Sequence, residues 1–83
     1  MVEFNLAQKI NDPAAMSGDL ATMGNILLEA GKPDRALEKF NLGLKTVENS
    51  DLSEQVKENT RQGHLFNSAR VALAKEALEK SKK

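Results

Sequence analysis

Cysteine, tyrosine and tryptophan are absent from these 83 residues, and only one histidine is present. The lack of cysteine excludes disulfides and thiolate chemistry, and a single histidine excludes a metal site built from several histidines. Three aromatic residues, five glycines and two prolines are too few for a β-sandwich with many turns. No apolar run is long enough to cross a bilayer or to form a signal peptide, so we expect no membrane partner and a cytoplasmic location.

Charge is balanced, with 12 basic and 12 acidic residues and a formal net charge of zero. This balance argues against a clustered basic surface, so we expect no nucleic-acid partner. Phosphate-binding glycine motifs and Glu-x-x-His motifs are absent, and His64 has no neighbour in the sequence at a spacing that would complete a catalytic set. The sequence therefore predicts a protein that is not an enzyme and has no catalytic residue, metal or cofactor.

The chain length predicts one helical domain over residues 1–83. A first loop contains Gly31, which tolerates the left-handed backbone after a helix, and Pro33, which suits a first helical position. In a second loop, Asp51 and Glu54 have the spacing of a capping box. Apolar periodicity predicts three helices, at about residues 17–30, 33–48 and 52–82. These follow an N-terminal segment, residues 1–16, in which Val2, Leu6 and Ile10 suggest a further short helix over residues 3–10.

The third predicted helix is about twice as long as a typical globular helix, and Gly63 is where we expect it to kink or break. Glu76 and Lys80 have the spacing of a favourable ion pair near its end. The positions that the periodicity assigns to its apolar seam are Leu52, Val56, Gly63, Phe66, Ala69 or Arg70, Leu73 and Ala77. Leu65, Ala72 and Glu76 lie beside this seam.

Residues 17–50 carry a helix-turn-helix spacing that resembles the tetratricopeptide repeat. The chain reads Leu20-x2-Met23-Gly24-x2-Leu27 and then Ala36-x3-Phe40. Small residues at Gly24 and Ala36 would let the two helices approach closely, with Phe40 filling the space beyond and Met23 part of the core. A partial second copy follows in the third helix as Leu65-x2-Ser68-Ala69-x2-Ala72. The predicted fold is therefore all-α, with a repeat-like antiparallel hairpin over 17–50 packed against a long third helix over 51–83.

The resemblance implies a non-catalytic protein-protein interaction module that binds a peptide or a partner helix, or that associates with itself as a homo-oligomer. In tetratricopeptide repeats the first helix of each pair lines a concave groove, which indicates a groove between the first and third helices here. The residues that this groove would present to a partner are Asn25, Leu28, Glu29, Phe66, Arg70 and Leu73. An alternative interpretation places Leu28, Phe66 and Leu73 in the core between the helices.

A second functional class is compatible with the same helix pattern. Domains of the microtubule-interacting-and-transport type also combine two medium helices with a longer third one, and they bind partner helices between their own helices. Packing distinguishes the two classes, because a closed three-helix bundle leaves no open concave side whereas a repeat fragment does.

Overall fold

The computed structural model describes residues 12–81, which form three α-helices in sequence. They are α1 (Pro13–Glu29), α2 (Pro33–Glu48) and α3 (Glu54–Ser81). No strand occurs among these described residues, so the predicted all-α, three-helix fold is confirmed. The short helix predicted over residues 3–10 lies outside the described residues.

The start of α1 differs from the prediction, whereas the loop that follows the helix agrees with it. α1 begins at Pro13 because Asp12 caps it, with its Oδ1 accepting the backbone N–H groups of Ala14 at 3.1 Å and Ala15 at 3.2 Å. Gly31 adopts φ = 81°, the left-handed conformation expected after a helix end. Pro33 is the first residue of α2, also as predicted.

Two predictions about α3 are wrong, and one is confirmed. Ser53, rather than Asp51, caps the helix, because its Oγ accepts the backbone N–H of Val56 at 3.3 Å. The helix also continues without a break through Gly63, since the 28 residues of α3 form one uninterrupted element. The predicted ion pair between Glu76 and Lys80 is present, with an N–O separation of 3.9 Å.

The hairpin of α1 and α2 is held together by an aromatic ring packed against a glycine. Phe40 is only 4% exposed, and a Cβ atom placed on Gly24 would lie 2.5 Å from its Cε1 atom. Ala36 is fully buried beside this ring. The close approach that the small residues predicted is therefore confirmed. Met23, in contrast, is 44% exposed, so its assignment to the core was wrong.

The three helices pack in chain order, and the arrangement is an open one. α2 contacts both α1 and α3 along much of its length, whereas the backbones of α1 and α3 scarcely approach each other. A closed three-helix bundle would require that third helix pair to pack as well. α1 and α3 therefore meet through side chains, and their backbones are not closely packed.

The predicted apolar seam of α3 is wrong. The side of α3 that packs on α2 carries buried Val71 with half-buried Thr60, His64 and Asn67. Phe66 and Leu73, two principal members of the predicted seam, are each 66% exposed.

The orientation of α3 follows from the residue that it buries. Val71 packs into the core cluster with Ala36 and Phe40, so Phe66 and Leu73, on the other side of the helix, are exposed. Polar contacts border this packing: Asn41 with His64, Glu48 with Arg61 and Asp34 with Lys75. Such exposed and half-exposed pairs contribute little to stability.

Candidate interaction surface

Asn25 of α1 and Arg70 of α3 are in direct contact. Arg70 Nη1 donates a hydrogen bond to Asn25 Oδ1 at 2.8 Å and another to Asn67 Oδ1 at 3.2 Å. The guanidinium carbon of Arg70 lies 5.9 Å from the centroid of the Phe66 ring, within range of a cation-π contact. The structure therefore brings Asn25, Arg70 and Phe66 together on one side of the protein, as their assignment to a shared groove requires.

The contact between Asn25 and Arg70 changes the chemistry expected of the groove. Asn25 Oδ1 already accepts a hydrogen bond within the chain, so its amide NH2 group is the part suited to meet a partner's carbonyl oxygen. Both of these hydrogen bonds from Arg70 use Nη1, whereas a guanidinium has five N–H donors in all. Arg70 consequently combines a structural role between α1 and α3 with capacity to bind an acceptor.

The other predicted groove residues lie in different environments. Leu28 is half-buried and packs against the core cluster that contains Phe40 and Val71, so the core interpretation holds for Leu28. The same interpretation is wrong for Phe66 and Leu73, which are largely exposed. Glu29, the last residue of α1, is exposed. The predicted groove residues thus comprise polar side chains from α1 and exposed apolar side chains from α3.

Beside this groove lies an apolar surface that we call the outer face of α3. Its large side chains are Leu65, 64% exposed, with Phe66 and Leu73, each 66% exposed. The small residues Ala69 and Ala72 are also exposed and lie among them at helical spacing. Sequence periodicity placed these residues on one side of α3 but assigned that side to the core. The partial second copy of the repeat spacing also includes Leu65, Ala69 and Ala72.

A cluster of charges fixes the start of α3 to the end of α2. Arg61 binds Glu48 with two nitrogens, including Nη2 to Oε1 at 2.8 Å, and its Nη1 also donates to Glu54 and Glu58 at 3.1 Å each. Hydrogen bonding from Arg61 lowers the pKa of the Glu48 carboxyl. Hydrogen bonds to Glu48, Glu54 and Glu58 in turn raise the pKa of Arg61. This cluster positions the start of α3 against the end of α2.

His64 belongs to the contact between α2 and α3. One ring nitrogen, Nε2, lies 2.6 Å from Asn41 Oδ1, and the other lies 3.5 Å from Ser68 Oγ. The serine contact is longer than the 2.6–3.2 Å typical of a nucleophile and its base. The arrangement therefore holds two helices together and does not resemble an activated serine.

Other site types receive no support from the described residues. Residues 12–81 contain no cluster of three or more metal-ligating side chains. No helix in that range is long and apolar enough to span a membrane. Comparison of the chain with models of protein families, with characterised proteins and with solved structures finds no match.

Proposed function

We propose that this chain is a non-catalytic, cytoplasmic protein-protein interaction module with a repeat-like helical scaffold. Its contact surface is the outer face of α3 together with the adjoining groove residues Asn25, Glu29 and Arg70. The observation that carries the proposal is the exposure of Leu65, Phe66 and Leu73, each about two-thirds accessible on one helix. Exposed apolar patches of this kind typically mark sites of protein contact.

The chemistry of this surface favours a helical partner. α1 accepts α2 where the ring of Phe40 packs on Gly24, within the spacing Leu20-x2-Met23-Gly24-x2-Leu27. α3 repeats that spacing on its outer face, with the small residue Ala69 in the position that corresponds to Gly24. A helix that places a large apolar residue beside Ala69 therefore suits the surface, and an acceptor group on that helix can reach Arg70.

The proposal is tested with a labelled synthetic peptide that has the sequence of α2, residues 33–48. This probe carries Ala36 and Phe40, the residues that pack on α1 in the folded chain. Fluorescence anisotropy should show saturable binding of the probe to the intact protein. A peptide with Phe40→Ala should bind more weakly, because it lacks the large apolar side chain.

Two protein variants locate the binding site. Leu73→Glu should reduce affinity for the probe by about tenfold or more, because it places a charge in an apolar contact. Ile26→Glu is a matched control, since Ile26 is 61% exposed on α1 and lies outside the proposed surface. Equal losses in both variants, or binding that Leu73→Glu does not change, would contradict the proposal.

A further inference from the structure

The outer face of α3 has a pattern that is nearly symmetrical about Ala69. Leu65 lies four residues before Ala69 and Leu73 four residues after it. Phe66 and Ala72 lie three residues before and after it. Residues three and four apart share one side of a helix, so all five belong to one continuous surface.

We infer that this surface joins two copies of the chain, with their α3 helices antiparallel and crossing at Ala69. The inference rests on the proposed function, and it identifies the partner as a second copy of the same protein. A two-fold axis through the crossing point generates such an interface, because each copy then presents the same patch to the other.

The side chains complement one another in this arrangement. Residues at equal distances from the crossing point face each other, so Leu65 lies opposite the partner's Leu73 and Phe66 lies opposite the partner's Ala72. The two Ala69 residues meet at the centre, where their small size permits close approach of the backbones. Phe66 opposite Ala72 pairs a large side chain with a small one, as Phe40 and Gly24 do between α2 and α1, and Leu65 and Leu73 meet as two large apolar side chains.

Charges at the two ends of the surface favour the antiparallel orientation. Glu58 lies 11 residues before Ala69 and Lys80 lies 11 residues after it, so each faces the opposite charge on the partner. Both side chains are more than half exposed, and within the chain Glu58 also pairs with Arg61 and Lys80 with Glu76. A parallel pair would instead place Glu58 opposite Glu58 and Lys80 opposite Lys80, and like charges at this spacing repel.

Single-cysteine variants test this geometry cleanly, because the chain has no cysteine of its own. Ala69→Cys should form a disulfide-linked dimer under mild oxidation, since the two positions meet at the crossing point. Ala77→Cys is the matched control, because Ala77 is also an exposed alanine of α3. In the antiparallel pair the two copies of residue 77 are about 24 Å apart, from a helical rise of about 1.5 Å per residue, which is too far for a disulfide.

A mixture of Leu65→Cys and Leu73→Cys proteins provides a third arm of the experiment. The antiparallel arrangement predicts that the mixture forms more disulfide-linked dimer on a non-reducing gel than either variant does alone. Efficient linkage of Ala77→Cys, or equal linkage of every variant, would overturn the inference. Circular dichroism of the reduced proteins shows that each variant retains the helical fold.

Sedimentation equilibrium of the cysteine-free protein separates failure of this inference from failure of the proposed function. We expect reversible dimers whose dissociation constant rises about tenfold or more with Leu73→Glu and less than about twofold with Ile26→Glu. A protein that stays monomeric at millimolar concentration but binds the α2 peptide through α3 would refute the inference that the partner is a second copy. The proposed function would still be supported in that case. A monomer that also fails to bind the peptide would contradict both.

Discussion

Replacement of Gly24 by alanine should destabilise the protein, although alanine is ordinarily the better residue inside a helix. The new Cβ would lie 2.5 Å from Phe40 Cε1 and 2.8 Å from two further ring carbons, so the ring or the backbone must move. Overpacking of this kind costs typically 1–3 kcal/mol, and the higher helix propensity of alanine offsets about 1 kcal/mol of that cost. Because the overlap involves three ring atoms of a buried side chain, we expect a net loss of about 1–2 kcal/mol.

Gly18 and Gly63 supply matched controls for this substitution. Both lie inside helices, and a Cβ atom at either position would meet nothing within 4 Å. Alanine at each should therefore raise the free energy of unfolding by about 0.5–1 kcal/mol. Urea denaturation followed by circular dichroism measures all three variants on one scale.

The double variant Gly24→Ala, Phe40→Leu identifies the cause of the loss. If the overlap with the ring is responsible, the penalty of Gly24→Ala should shrink by about 1 kcal/mol or more in the Phe40→Leu background. Stabilisation by Gly24→Ala in the original background would refute the reasoning, because the two helices would then be farther apart than the structure places them.

Two further predictions concern the core and the charge cluster. Phe40→Ala should cost about 3–5 kcal/mol as a buried aromatic deletion, whereas Arg70→Ala should cost only about 1 kcal/mol, the usual worth of a hydrogen bond; urea denaturation distinguishes them. Arg61 lowers the pKa of Glu48 below the carboxyl's ordinary value of 4.5. The contact therefore stabilises the fold at pH values above 4.5, and this stabilisation is lost as the pH falls through the lowered pKa. Thermal melts should therefore show a smaller drop in Tm between neutral and acidic pH for Arg61→Gln than for the original protein, and an equal drop would contradict this account.

Local signals in the sequence predicted the hairpin well. Gly31 and Pro33 mark the loop by backbone conformation alone, and the structure places them in the predicted roles. The contact of Gly24 with Phe40 followed from residue size and spacing, which determine how closely two neighbouring helices can pack. Such features depend on a few nearby residues and can therefore be recognised in a single sequence.

The orientation of α3 was not predictable in the same way. Apolar periodicity assigns Phe66 and Leu73 to the inside, but the structure exposes them because Val71, on the other side of α3, is the residue that packs with Ala36 and Phe40. Such partners are far apart in the sequence, and periodicity contains no information about them. The contact between Asn25 and Arg70 is likewise 45 residues apart in the chain, and only the resemblance to repeat proteins suggested that they share one side.

The outer face of α3 as a protein contact surface is the central claim, and nuclear magnetic resonance tests it most directly. Amide spectra of the labelled protein should be recorded over a range of protein concentrations and again during titration with the α2 peptide. The account predicts that the largest shift changes in both series occur at Leu65, Phe66, Ala69 and Leu73, with little change at Ile26. Changes centred on Ile26, or spectra that neither concentration nor peptide alters, would contradict it.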